Sequence, residues 1–198
     1  MRELRSVVLA SASPRRYELL RTLGLAICVV PSAIDEGELP GYGPRELASL
    51  YAGAKADAVA ARESAGVIVA ADTVVDVDGV AFGKPADSAD ASRMLRVLSG
   101  RAHLVHTAYV VIDTATNARI AATHSTHVSF AELSAGDVAA YVASGEPMDK
   151  AGAYGIQGRG AALIERIDGD FYTVMGFPLG AFVRRLPELG YRLKGDIG

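Results

Sequence analysis

The sequence predicts an α/β fold with a mixed sheet, and three observations carry that prediction. Short apolar, β-branched runs such as "SVVLAS" and "GVIVAAD" alternate with stretches whose leucines and alanines recur at helical spacing. Hairpin signals interrupt the alternation, so the sheet is not expected to be purely parallel. At 198 residues, half of them hydrophobic, the chain can bury a sizeable core without disulfides or a structural metal. No linker, repeat or low-complexity tract divides it, and residues 1–198 are expected to act as a single domain.

"SVVLAS" reads as a buried strand. Ser13 and Pro14 then supply a cap residue and a first-turn proline for the helix "RRYELLRTLG", whose apolar stripe is Leu19, Leu20 and Leu23 and whose stop is Gly24. "AICVV" is expected to be a second buried strand, with Cys28 a small buried hydrophobe. The polar segment "SAIDEGELPGYG" is a loop, and residues 44–62 carry Leu47, Leu50, Tyr51, Ala54 and Ala58 at helical spacing with Lys55 on the flank. A strand is predicted to end at Asp72, followed by a small hairpin that turns at Asp78 and Gly79. Residues 88–98 form a helix with Met94, Leu95 and Leu98 inward, and "LVHTAYVVI" pairs antiparallel with "IAATHSTHVSF" across the turn "DTATNAR". A helix capped by Ser134 and closed by Gly145 comes next. The stretch "EPMDKAGAYGIQGRGA" has too much glycine for either period, and the strand "ALIERI" and a last helix after Pro178 complete the pattern.

Composition excludes several functions. Lys and Arg total 20 against 23 Asp and Glu, a formal charge of −3, so the chain has no general basic field for a nucleic-acid backbone and phosphate binding must be local. Every apolar run is shorter than the roughly 20 residues that cross a bilayer, so no membrane partner is expected. The lone Cys28 has no partner for a disulfide or a thiolate metal site, which fits a reducing cytoplasm. His103/His106 and His124/His127 have an i, i+3 spacing that suits zinc on a helix. They sit in strands, where i and i+3 face opposite ways, and are expected to be ordinary sheet-face histidines.

Anion-binding capacity is concentrated in "LASASPRRYELL". A helix N-terminus exposes unpaired N–H groups and partial positive charge, and Ser11, Ser13, Arg15 and Arg16 would turn that tendency into a multidentate oxyanion site. The strand in "AADTVV" delivers the Asp72 carboxylate to the sheet's edge, where open α/β sheets place ligands. Glu36, Lys55 and Lys84 complete an inventory that suits phosphoanhydride hydrolysis: carboxylates to hold a divalent cation and activate water, and cations to neutralise phosphate charge. Neither a P-loop nor a GxGxxG turn is present.

Taken together and in order, "LASASPRRYELL", "IDE", "LASLYAGAKA", "AADTVV", "FGKP", "MLRVLSGRAHLVHTAYVV", "YVASGEPMDKAGAYGIQGRGA" and "VMGFPL" resemble the Maf family of nucleoside triphosphate pyrophosphatases over residues 7–186. The resemblance implies an elongated mixed sheet flanked by helices, with two lobes and a central cleft, similar to the inosine-triphosphate pyrophosphatase group. It implies a homodimer that hydrolyses a nucleoside triphosphate between its α and β phosphates with a divalent metal, Mg²⁺ or Mn²⁺. By motif position Asp72 would accept the proton of the attacking water and contact metal, and Glu36 would bind metal or orient that water. Ser11, Arg15, Lys55 and Lys84 would grip the triphosphate, with Ser13 and Arg16 supporting the turn. Arg15, Thr73 and Gln157 match the branch of the family selective for dTTP and UTP, and a Gln amide can offer a donor and an acceptor to a pyrimidine edge. The segment "DGDFYTVMGFPL" departs from the family's usual "Gly-Ser-Tyr-x-x-Val-x-Gly-Leu-Pro" at Asp170, Phe171 and Phe177. A second reading stays open: a nucleotide-binding regulator of septum formation that acts through protein interaction.

Overall fold

The computed structural model describes residues 1–34, 37, 39–63 and 66–195. Its strands are β1 (Arg2–Glu3), β2 (Ser6–Leu9), β3 (Ala26–Val29), β4 (Val67–Val77), β5 (Val80–Phe82), β6 (Ala102–Asp113), β7 (Ala118–Phe130), β8 (Ile164–Asp168) and β9 (Tyr191–Arg192). Its helices are α1 (Pro14–Arg21), α2 (Pro44–Ala60), α3 (Ser88–Leu98), α4 (Ala135–Ala143), α5 (Phe171–Met175) and α6 (Leu179–Arg185). The sheet is mixed, as expected. Its order is β3-β2-β4-β6-β7-β8, with β5 also on β4, and β1 pairs with β9 as a separate two-stranded ribbon. The β2–β3 and β2–β4 pairs are parallel, whereas β4–β5, β4–β6, β6–β7 and β7–β8 are antiparallel.

β4 decides where the cleft lies. One of its edges is paired with β6 from Val67 to Asp76. The other edge is shared: β2 covers it as far as Val69, and β5 takes over only at Val75. Between them, at residues 70–74, no strand among those described covers that edge. The expectation that the strand stops at Asp72 is therefore corrected. Thr73, Val74 and Val75 are β-branched and continue the ladder, so Asp72 lies in mid-strand beside a gap in the sheet rather than at a strand end.

Alternation then sorts the side chains of β4. Val67, Val69 and Ala71 face an apolar cluster that contains Leu19 and Leu20 of α1 together with Phe177, Phe182 and Leu186. Ile68, Ala70 and Val74 face the opposite cluster, under α2. Val75 and Val77 belong to a third cluster, with Met94, Leu95 and Leu98 of α3, Val138 and Tyr141 of α4, and Tyr154. The long β4 and β6 thus run through two lobes, and Asp72 and Thr73 sit at the waist on opposite faces. Fully burying a leucine such as Leu20 or Leu95 contributes roughly 1.5–3 kcal/mol, which places the stability in these clusters and leaves the waist to polar groups.

Two sequence expectations need correction. The inward face of α2 is Ala48, Ala52, Lys55, Ala56 and Val59, while Leu50 and Ala54 of the expected stripe are exposed. Three alanines let the helix approach the sheet more closely than leucines would, and this proximity brings Lys55 into the interior. β3 is likewise an edge strand rather than a buried one, with Ala26, Cys28 and Val29 exposed, because it pairs only with β2 among the described strands. Apolar content alone does not distinguish an edge from a centre. The Asp78–Gly79 hairpin, the Ser134 cap and the α3 stripe match the expectations.

Candidate active site

The open stretch of β4 forms the floor of a cleft of about 1210 Å³, larger than the roughly 300–1,000 Å³ usual for small-molecule sites. Ser11, Ser13, Arg15, Arg16, Lys55, Asp72, Thr73, Lys84 and Gln157 all line it. Residues distant in sequence therefore converge on one cavity. Glu36 lies outside the described residues. Among the described lining residues are five Lys or Arg (Arg15, Arg16, Lys55, Lys84, Lys150) and three carboxylates (Asp72, Glu146, Asp149), so the cleft is locally basic in a chain of net charge −3.

The first wall is the turn from β2 into α1. Ser13 stands at the N-cap position with extended backbone, yet its side chain does not cap the helix. Ser11 organises the turn instead: its Oγ accepts from the Ser13 N–H at 3.2 Å and from Arg16 Nη1 at 3.1 Å. Successive helical residues project about 100° apart, so the adjacent arginines diverge. Arg16 turns inward, donating from Nε to the Gly176 carbonyl at 2.9 Å and from Nη2 to Thr73 Oγ1 at 3.1 Å, and so ties the turn to β4 and to the end of α5. Arg15 turns across the cleft to Asp149, Nη1 to Oδ2 at 3.0 Å.

On the floor, Lys55 Nζ reaches Asp72 Oδ1 at 2.6 Å, with both side chains more than nine-tenths buried. Removing either partner of such a pair leaves an uncompensated buried charge. On the other face, Thr73 Oγ1 lies 2.9 Å from Thr107 Oγ1, and Thr107 donates to the Thr173 carbonyl at 2.7 Å. Thr107 has one proton, committed to Thr173, so Thr73 is the donor between them and accepts from Arg16. A row of threonines thus fixes the orientation of the Thr73 hydroxyl. Lys84 is exposed on the lip just after β5, and the neighbouring Gly83 carbonyl accepts from the Gly152 N–H at 2.9 Å.

The second wall is the Gly-rich stretch that suits neither period. It forms three 3₁₀ turns, Glu146–Asp149, Ala151–Ala153 and Gly158–Leu163. Gly152 has φ +69 and packs so closely on Val75 that a Cβ would lie 2.9 Å from it; at Gly160 a Cβ would lie 2.2 Å from the Gly155 carbonyl. Tyr154 is buried beneath this wall, with its hydroxyl 2.6 Å from His103 Nε2. Burial pushes the His103 imidazole down to about 4 and raises the Tyr154 phenol, so both are neutral near pH 7. His106 goes to the opposite face of β6, where its ring nitrogens meet Ser125 Oγ at 2.7 Å and Asp76 Oδ2 at 3.0 Å.

The departures near residue 170 also have local explanations. Asp170 caps α5, its Oδ2 accepting from the Thr173 N–H and hydroxyl at 2.8 Å each. Phe177 is fully buried against Tyr109 and Phe182, while Phe171 is partly exposed. Sequence reasoning missed Thr107, Glu146, Asp149 and Lys150. Their only signal was polarity inside a strand and inside a glycine-rich segment.

The cleft is locally basic with a buried Lys–Asp pair on its floor, a charge pattern suited to a phosphorylated small molecule. The chain belongs to the family described as Maf-like protein, whose model matches residues 6–189. It is 46% identical over 188 residues to a protein of Symbiobacterium thermophilum named dTTP/UTP pyrophosphatase, covering 95% of this chain and 96% of that one. It is 48% identical over 192 residues to a protein of the same name from Moorella thermoacetica, covering 96% and 98%. Among solved structures, the Staphylococcus aureus Ham1 protein aligns with a TM-score of 0.46 at 15% identity, over 65% of this chain and 73% of that one, a likeness too slight to carry any argument.

Proposed function

We propose that this chain is a nucleoside triphosphate pyrophosphatase that adds water across the α–β phosphoanhydride, releasing a nucleoside monophosphate and diphosphate, with dTTP, UTP and modified pyrimidine nucleotides as substrates. The observation that carries the reading is the Asp72–Lys55 pair on the floor of a cleft shared with Ser11, Arg15 and Lys84, in a chain whose close relatives bear the name dTTP/UTP pyrophosphatase. In this reading Asp72 takes the proton of the attacking water, and Lys55 holds the carboxylate in place while neutralising phosphate charge. Ser11, Ser13, Arg15 and Lys84 grip the triphosphate, and Arg16 braces the turn that presents them. Gln157 meets the base, and Thr73, held between Arg16 and Thr107, sets the floor beside it. A divalent cation, Mg²⁺ or Mn²⁺, suits carboxylate oxygen donors: Asp72 would hold it, and Glu36, which lies outside the described residues, is the second carboxylate assigned to it in this reading. When bound it would supply further charge neutralisation. The active species in this reading is a cytoplasmic homodimer, with residues 1–198 working as one unit.

Diphosphate release from dTTP, UTP, CTP, ATP and GTP, with Mg²⁺ and with Mn²⁺, tests the proposal. Turnover is expected with dTTP and UTP foremost, and Asp72→Asn is expected to lower kcat about 10³-fold while the circular-dichroism spectrum keeps its native shape. Nucleotide binding without turnover would point instead to the regulator of septum formation. Turnover by Asp72→Asn at the native rate would remove Asp72 from the mechanism.

A further inference from the structure

Gln157 is the last residue before the 3₁₀ turn Gly158–Leu163 and occupies its N-cap position. Ser, Thr, Asp or Asn at that position would bond the orphan N–H groups of the first turn, and a glutamine is not among the usual caps. The Gln157 side chain makes no cap bond, and it is exposed on the cleft. Those N–H groups go to a residue thirteen and fourteen positions earlier in the chain. Glu146 Oε2 accepts from the Arg159 N–H and Oε1 from the Gly160 N–H, each at 3.0 Å, and Oε1 also accepts from the Tyr141 hydroxyl at 3.0 Å. Tyr141 in turn accepts from the Gly155 N–H at 3.1 Å, so the segment around Gln157 is anchored both before and after it. Glycine is required for this winding, because a Cβ at Gly158 would lie 2.9 Å from Glu146 Oε2 and its φ is +66.

We infer that Glu146 is a positioning residue for base selection: its carboxylate caps the turn that Gln157 opens and, with Tyr141, holds the backbone from which the Gln157 amide meets the pyrimidine edge. This rests on the pyrophosphatase reading above. Burial pushes the Glu146 carboxyl up, but the Gly160 and Arg159 N–H groups and the Tyr141 hydroxyl outweigh that and hold it below its ordinary value. A glutamine in its place keeps the shape but turns an NH₂ group toward N–H donors. The backbone that carries Gln157 then loses part of its anchor.

The test is steady-state hydrolysis by wild type and Glu146→Gln of dTTP, CTP and 2-deoxyribose 5-triphosphate, which has no base. The variant is expected to raise KM for dTTP about tenfold, to change kcat less than about threefold, and to shrink the dTTP-over-CTP preference about tenfold. Its constants for the baseless triphosphate should match those of wild type. An unchanged preference, or equal losses on dTTP and the baseless compound, would overturn the inference. Should Glu146→Gln not fold, Tyr141→Phe removes one of the donors and should shift the preference the same way, by about threefold; no shift there also overturns it. A wild type that releases no diphosphate would instead defeat the pyrophosphatase reading, and equilibrium binding of dTTP and CTP to both proteins would then supply the same comparison.

Discussion

The turn after β2 and the segment of residues 145–160 face each other across one cleft and even share an ion pair, Arg15 to Asp149, yet they are held by different means. The first wall is a strand-to-helix joint. Its parts are standard, and one side chain, Arg16, locks it to β4 and α5. The second wall has no long helix or strand. It is wound around a carboxylate, a phenol and several glycines, and rests on the neutral His103–Tyr154 pair. The contrast teaches that a wall made of regular structure needs one brace, whereas a wall made of irregular backbone must satisfy its N–H groups individually.

Three perturbations would break or sharpen that contrast. The largest effect is expected from Gly160→Ala. Its Cβ would lie 2.2 Å from the Gly155 carbonyl and 2.6 Å from the Tyr141 hydroxyl, and neither the turn nor the buried phenol can yield cheaply. A loss of about 3 kcal/mol in urea unfolding is expected, and a loss under about 1 kcal/mol would mean that the second wall is looser than described. An intermediate effect should come from acid. His103 is pushed down to about 4 by burial, below its ordinary 6.5, so between those values the unfolded chain binds a proton that the folded chain refuses. The stability this residue contributes is whole above pH 6.5 and is lost as pH falls toward 4. Wild type should lose about 2 kcal/mol more than His103→Gln between pH 6.5 and 4.5, with amide exchange rising at residues 150–160 before it rises in α1. Equal pH profiles for the two proteins would exclude the mechanism. The smallest effect is expected at Ser13→Ala. Caps are worth roughly 0.5–2 kcal/mol where the side chain bonds the helix, but Ser13 makes no such bond, so folding stability should change by less than about 0.5 kcal/mol. A full capping loss would show that Ser13, not Ser11, holds the turn.

Much of the cleft was legible in the residues. Ser11, Arg15, Lys55, Asp72, Lys84 and Gln157 are polar groups set in otherwise apolar or glycine-rich stretches, and all of them line the cavity. Where the reading failed, the cause was the neighbouring strand or helix. Lys55 looked like a flank residue because alanines and leucines weigh equally in a count of apolar positions, although only alanines let α2 sink onto the sheet. Asp72 looked like a strand end because nothing local announces that β2 stops before β5 begins. Glu146 had no signal of its own within the glycine-rich stretch, because the N–H groups it bonds are set by the fold.

By its sequence alone this protein was committed to an α/β fold with a mixed sheet, to a helix opening behind Ser13 and Pro14, and to the inventory of cations and carboxylates, because periodicity, caps and side-chain chemistry are local properties. The tertiary structure alone decided that the uncovered edge of β4 would be the floor, that Arg16 would turn inward while Arg15 reached across, and that Glu146 would cap a turn by bonding N–H groups thirteen and fourteen residues away. Those outcomes depend on which backbone groups remain unpaired once the sheet has formed, and only contacts between distant segments determine that.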